Sequence, residues 1–177
     1  MKKFYLLLIS LSSLHLSSTG QTQTSVNRMV SLIKTIPEKY STHYNRNEIK
    51  SILNKQDDGW FKIIVKYDTN VIPFLINLIG DGTPSMAFNT CSNANYRTGD
   101  VAILLINDIE QIPYATVTHS QWCTFGQCGV LPDGFFYYTN AHRRDFQEQY
   151  KTYYSGKERQ DILREKRRRQ KLRNSKL

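Results

Sequence analysis

Apolar residues recur at one-sided, helical spacing through most of the chain beyond residue 20. Such spacing is typical of amphipathic helices that bury one face against a core. The stretches that show it are Val26–Ile33, Ile49–Leu53, Trp60–Tyr67, Val71–Ile79, Val101–Ile109 and Phe146–Tyr154. Trp60–Tyr67 is also compatible with a strand, because it is β-branched and aromatic. We expect about five core helices, with the very apolar Val101–Ile109 helix at the centre of the fold.

Capping residues mark the ends of several of these helices. Gly80 is placed as a helix C-cap, and Thr98–Asp100 is placed at the start of the central helix. Asn140 is predicted to cap the last core helix, which ends at Ser155–Gly156. These signals predict a single globular helical domain over residues 21–156, a normal domain length.

Two short segments read as strands. Tyr114–His119 alternates in polarity and is rich in Thr and Val, which is typical of a strand. Phe135–Tyr138 follows an Asp133–Gly134 turn and is a plausible partner strand. Asp81–Arg97 is rich in Gly, Thr, Pro, Ser and Asn, and therefore reads as a loop. The predicted fold is mainly α, with a small β-hairpin-like insertion between the last two core helices.

The N-terminus has the pattern of a secretory signal peptide. Lys2–Lys3 precedes the apolar run Phe4–Leu16, and Ser17–Gly20 supplies small residues for cleavage. The run is about 13 residues long, whereas a transmembrane helix needs ~20. We therefore expect residues 1–20 to be removed and the mature chain, from Gln21, to be exported without a transmembrane segment. The leader is equally compatible with a periplasmic and a fully secreted protein.

Charge divides the chain into two unlike parts. The whole sequence carries a net charge of +9, of which residues 157–177 contribute +7 through ten basic and three acidic residues. Lys2–Lys3 carries the remaining +2, and twelve basic residues balance twelve acidic ones between Gln21 and Gly156. The domain is therefore neutral, and the tail that follows it is basic.

The tail, residues 157–177, is expected to be helical or disordered, because it contains few large apolar residues. Its charge density is that of a polyanion binder. The candidate binding residues are Arg164, Lys166, Arg167, Arg168 and Arg169. The export signal disfavours nucleic acid as the ligand, so an acidic partner protein or an anionic envelope surface is expected.

Three cysteines, Cys91, Cys123 and Cys128, are expected to form one disulfide in an oxidising compartment. Cys123 can pair with Cys128, or either of them can pair with Cys91, and the odd count leaves one thiol over. Zinc is disfavoured, because only one pair of cysteines has ligand-like spacing. No metal and no cofactor is predicted.

The candidate catalytic residues are Cys91, His119, Asp81 and Asp100. A thiol beside a histidine is a nucleophile with its base, and two carboxylates can do acid–base work on a glycan. However, both aspartates are placed at helix ends, where they satisfy free amides or shape turns. Trp122 lies in a predicted polar loop, where an exposed indole would be a binding anchor. An enzymatic role is uncertain, and the balance favours none.

Residues 45–80 resemble the helix–turn–helix unit of HEAT-type repeats. The resemblance depends on the Asp57–Gly59 turn and on Val71–Ile79, where a proline precedes a Leu/Ile ladder. Thr98–Ile109 is similar to that second helix but lacks the proline. HEAT repeats usually present surfaces to other proteins, and they stack in arrays of ~3 or more, whereas one or two are visible here.

The leading hypothesis is a small exported protein-interaction module of the inhibitor or immunity type. One alternative is a small envelope hydrolase that acts on glycan or peptide. Another alternative is a structural envelope component that is tethered by its basic tail. A hydrolase should gather its candidate residues in a concave pocket, whereas a binder should present a broad exposed face.

Overall fold

A computed structural model of the protein describes residues 20–34, 36, 59–89, 92–122, 131 and 134–174. This part of the chain holds eight helices and a two-stranded antiparallel sheet. The helices are α1 (20–31), α2 (Gly59–Tyr67), α3 (Ile72–Leu78), α4 (Thr98–Ile109), α5 (Tyr114–Thr118), α6 (Phe135–Ala141), α7 (Arg143–Ser155) and α8 (Lys157–Asn174). The strands are β1 (Pro84–Asn89) and β2 (Ala94–Arg97). The mainly α fold with a small hairpin is confirmed.

Helix α2 settles the choice between helix and strand at Trp60–Tyr67. Trp60 and Ile63 are fully buried one turn apart, as a helix requires and an alternating strand does not. A short 3-10 turn, Asp68–Val71, then leads into α3, whose first turn holds Pro73. Proline is tolerated there because the first amide groups of a helix have no partner within it.

Helix α4 lies at the centre of the core, as its composition predicted. Every residue from Thr98 to Ile106 is buried, so the helix is enclosed on all sides. The surrounding helices supply large side chains that are fully buried, among them Trp60, Leu75, Phe135 and Tyr150. Since α4 has neighbours on all sides, Asp100 at its start and Glu110 at its end are held in fixed positions by the core.

The hairpin lies elsewhere than predicted. β1 and β2 occupy the segment that was expected to be a loop, ahead of the central helix and not between the last two core helices. Along β1, burial alternates: Ser85 and Ala87 point inward, while Met86 and Phe88 point outward. The inward residues are small and the outward ones are large and apolar, so the sequence lacks the apolar-in, polar-out alternation that marks a half-buried strand.

Both segments predicted as strands are helices. Tyr114–Thr118 forms α5, in which the Thr118 hydroxyl donates to the Tyr114 carbonyl oxygen one turn back (2.8 Å). The aromatic run forms α6, where Phe135 and Thr139 are the buried pair at helical spacing. Propensity favoured strands in both places, and packing against the aromatic core selected helices instead.

Asn140 does not cap the last core helix. It lies inside α6, and α7 begins at Arg143 and ends at Ser155. The predicted helix at Ile49–Leu53 and all of residues 1–19 lie outside the described residues. The resemblance to a HEAT unit therefore stays a prediction, because only its second half is described.

Candidate interaction surface on the C-terminal helix

The basic tail is helical through Asn174, and its first turns are fastened to the core. The guanidinium of Arg159 donates two hydrogen bonds to Glu110, from Nε to Oε1 (2.7 Å) and from Nη2 to Oε2 (2.6 Å). The same guanidinium stacks on the Tyr154 ring, 4.0 Å from its centroid. The two charged side chains are only 14% and 11% exposed. This bidentate pair therefore holds α8 against the end of α4.

Burial strengthens the attraction between Arg159 and Glu110. The hydrogen bonds that Arg159 donates to Glu110 raise the pKa of Arg159, so its charge is permanent. Burial raises the pKa of the nearby Tyr150 hydroxyl above its usual range. Because the pair is sheltered from water, its attraction is screened less than that of a surface pair.

Four exposed basic residues share one side of α8, and we call them the basic face. They are Arg164, Arg167, Arg168 and Lys171. Their spacing of three, four and seven residues aligns them along the helix. Arg167 lies about 80° around the helix from the clamped Arg159, and Arg168 lies about 180° from it. The basic face therefore extends from the edge of that contact to the opposite side of α8.

An acidic row borders the basic face. Asp161 pairs with Arg164 at 3.4 Å, and Glu165 pairs with Arg168 at 3.1 Å and with Arg169 at 3.0 Å. The hydrogen bond from Arg169 lowers the pKa of Glu165. Exposed pairs of this kind contribute little stability, so the arginines stay available to another anion.

A cleft lies beside the basic face, between α8 and the segment that follows α4. Its volume is about 240 Å³. Ile112 and Pro113 line one side, and Ile162, Leu163 and Lys166 line the other. The Arg159–Glu110 pair, Gln111 and Tyr153 complete the lining. Ile162 is 37% exposed, although it is a large apolar residue. Among the described residues, no ion pair is formed by Lys166, in contrast to the neighbouring Glu165.

Asp100 is buried in an ion pair that the sequence did not reveal. Its Oδ1 accepts a hydrogen bond from Arg143 Nη2 at 2.7 Å, with side-chain exposures of 6% and 9%. Its Oδ2 accepts the backbone N–H of Arg97 at the start of α4 (2.9 Å). Arg143 also donates to Asn140 and to the Ile79 carbonyl oxygen. Both carboxylate oxygens of Asp100 are therefore engaged: Oδ1 ties α4 to α7, and Oδ2 caps the start of α4.

Asp81 lies close to this network but performs a different task. Its Oδ1 accepts the backbone N–H of Thr83 (2.9 Å) and the Thr83 hydroxyl (2.7 Å), which shapes the turn before β1. Its carbonyl oxygen accepts the N–H of Gly99 (2.9 Å). A side chain at Gly99 would collide with the Ile79 carbonyl oxygen and with the Arg143 guanidinium. Glycine is thus required for this close approach.

His119 lies in a second cleft, of about 470 Å³, between α5, α7 and the start of α8. The side chains around it include Asp145 and Glu148, whereas Asp81 and Asp100 are not part of its lining. His119 has a left-handed backbone, with φ of 52°. The structure thus places His119 apart from the two aspartates, and Cys91 lies outside the described residues.

Trp122 is not the exposed anchor that its surroundings suggested. The side chain is half-buried, and its indole N–H donates to the Thr118 hydroxyl (3.0 Å). Its ring packs edge-to-face on Phe135, at 5.3 Å between centroids, and on Tyr138, at 5.6 Å. These aromatic contacts hold the Trp122 side chain against the core.

Cys91, Cys123 and Cys128 lie outside the described residues, so the disulfide stays a prediction. Among the residues that the structure does describe, no cluster of His, Cys, Asp or Glu could hold a metal ion. None of the helices in these ranges is both long and apolar enough to span a bilayer.

Three residues that tie the helices together, Glu110, Arg143 and Arg159, were not predicted from the sequence. Each pairs with a residue more than 40 positions away along the chain: Glu110 with Arg159, and Arg143 with Asp100. No local pattern marks such contacts. Gly99 carried a weak signal, because a glycine in the first turn of a helix lowers helix propensity without a local reason.

Known proteins give no indication of what this chain does. No protein-family model matches the chain, and no curated protein or solved structure matches it significantly. On the described surface, the basic face of α8 and the adjoining cleft bring exposed positive charge next to an apolar recess.

Proposed function

We propose that this chain is a small exported interaction protein that binds an acidic partner protein through the basic face of α8. The observation that carries the proposal is the Arg159–Glu110 pair, which fixes α8 on the core and so presents the basic face in a defined orientation. Binding then costs less ordering entropy than binding by a loose tail.

The acidic row favours a narrow partner over an extended anionic surface. Asp161 and Glu165 are 49% and 41% exposed directly beside the basic face. A lipid bilayer would press against these carboxylates as well as the arginines, whereas a protein segment can follow the basic face alone. The basic face also contains no large apolar residue that would insert into a membrane.

The hydrolase alternative has less support. It needs candidate residues that converge, and Asp100 has both oxygens engaged while His119 lies in a separate cleft. The tethered structural component is kept as an outcome of the experiment, because it predicts binding to anionic vesicles and not to a protein.

The experiment is a pull-down from envelope extract with the mature chain, followed by calorimetry with each captured and identified protein. The test variant changes all four residues of the basic face to Gln. The control variant removes the same charge at exposed positions elsewhere: Arg28, Lys34, Arg144 and Lys151.

The proposal predicts direct binding of an acidic protein that the control variant retains and the test variant loses. Affinity should fall between about 0.05 M and about 0.3 M salt, as screening shortens the range of the attraction. Equal capture by the test and control variants would overturn it. Co-sedimentation with anionic phosphatidylglycerol vesicles, run in parallel, without capture of an acidic protein would replace it with the tethered component.

A further inference from the structure

The cleft and the basic face form one continuous surface. Leu163, on the cleft wall, is one helical turn from both Lys166 and Arg167. Lys166 and Arg167 are exposed, and neither forms an ion pair with the described residues. A ligand group that enters the cleft would therefore lie within reach of two uncommitted cations.

The size and lining of the cleft restrict what can enter it. Roughly 150 Å³ of apolar cavity holds a benzene ring, so a cleft of about 240 Å³ has room for one ring-sized group. Pockets for cofactors or drug-sized ligands are usually larger, roughly 300–1,000 Å³. The aliphatic side chains of Ile112, Ile162 and Leu163 favour an apolar group. The Glu110 carboxylate that also lines the cleft is paired with Arg159, so Lys166 is left to favour a neighbouring anion.

We infer that this cleft is an anchor pocket that takes one large apolar side chain, flanked by carboxylates, from an acidic segment of the partner protein. The inference rests on the proposed function and specifies its ligand. Affinity at protein interfaces concentrates in a few apolar or aromatic anchors that are surrounded by polar contacts. Here the cleft supplies the anchor site, and Lys166 with the basic face supplies the surrounding charge.

The test uses two labelled peptides, one with a single Phe between two Asp–Glu pairs and one with Ala in its place. Binding to the mature chain is followed by fluorescence polarisation. The protein variants are Leu163→Ala and Ile162→Ala, the latter at a part-exposed position that tolerates truncation. Leu32→Ala, at a residue that is 56% exposed and outside the cleft, is the control. Thermal melts by circular dichroism establish that each variant is folded.

The Phe peptide should bind about tenfold more tightly than the Ala peptide. Leu163→Ala and Ile162→Ala should remove most of this difference, and Leu32→Ala should preserve it. Equal binding of both peptides, or an unchanged difference in both cleft variants, would overturn the anchor pocket. The variant that lacks the basic face should weaken both peptides alike. If it does so while Phe and Ala bind equally, the proposed function stands and only the pocket is wrong.

Discussion

Removal of the Asp100 carboxylate should destabilise the protein more than any surface substitution. In Asp100→Ala, Arg143 would keep its charge at 9% exposure without a counter-ion. Breaking a buried pair in this way costs about 3–5 kcal/mol. Loss of the carboxylate that accepts the Arg97 amide adds about 1 kcal/mol. Because Arg143 keeps Asn140 and Ile79 as acceptors, we expect a total near the lower end, about 4 kcal/mol.

The loss is large relative to the total stability of a domain, which is about 5–15 kcal/mol. It corresponds to a decrease in Tm of roughly 8–16 °C for a chain of this size. The assay is urea denaturation followed by circular dichroism, with linear extrapolation to water. Asp161→Ala is the control, because that carboxylate is 49% exposed in a 3.4 Å pair. It should change the unfolding free energy by less than about 0.5 kcal/mol.

A double variant tests whether the unpaired charge of Arg143 causes the loss of stability. Asp100→Ala combined with Arg143→Met removes both charges, so no buried charge is left unpaired. It should be more stable than Asp100→Ala alone, because apolar replacement of a buried pair is often neutral. If Asp100→Ala costs less than about 1 kcal/mol, or the double variant is less stable than the single one, the ion pair does not hold the helices together as argued.

Three further perturbations probe the fold and the fastening of α8. Gly99→Ala should cost about 1–3 kcal/mol or more in unfolding free energy, because its methyl group would collide with Ile79 and Arg143. Arg159→Ala should cost about 2 kcal/mol and increase amide hydrogen exchange along α8, since it removes two charge-assisted hydrogen bonds. Asp108→Asn should change the pH dependence of stability. Burial raises the pKa of Asp108, with a smaller opposing effect of the Trp60 hydrogen bond, so the folded state binds the proton more tightly than the unfolded state. Stability therefore falls as pH rises from the ordinary aspartate pKa, about 3.9, through the raised pKa of Asp108. Asp108→Asn should gain stability relative to the wild type over that range, and the gain should level off above the raised pKa.

Each of these has a matched control. Gly82→Ala should be nearly neutral, because the nearest atom to its new methyl group is 3.8 Å away. Arg164→Ala removes an exposed pair on the same helix and should leave hydrogen exchange near Arg159 unchanged. If the difference in unfolding free energy between Asp108→Asn and the wild type stayed constant with pH, burial would not raise the pKa of Asp108 as expected. Equal exchange along α8 in Arg159→Ala and the wild type would contradict the clamp.

The local pattern of apolar residues was sufficient to predict a helix where one face, or the whole helix, is buried. The apolar run of α4 predicted that helix and its central place. The spacing of Trp60 and Ile63 indicated a helix, and the structure excluded the strand that the composition also allowed. The local pattern failed at Tyr114–Thr118 and at Phe135–Ala141, where β-branched and aromatic residues favoured strands. There the surrounding core selected helices. In α6, Phe135 and Thr139 are buried while Tyr137 between them is 83% exposed, whereas a strand would place all three on one face.

The sequence by itself determined the composition of this protein: a neutral apolar domain, a concentrated basic tail, and the helical period of most of the core. Only the tertiary structure decided what the charged residues do. It buried Asp100 against Arg143 and bound Arg159 to Glu110, across 43 and 49 residues of chain. Charge is a property of composition, but its consequence depends on burial and on partners that the fold brings together. For that reason, the same residue types form internal ties at Arg143 and Arg159 and an exposed basic face one turn beyond.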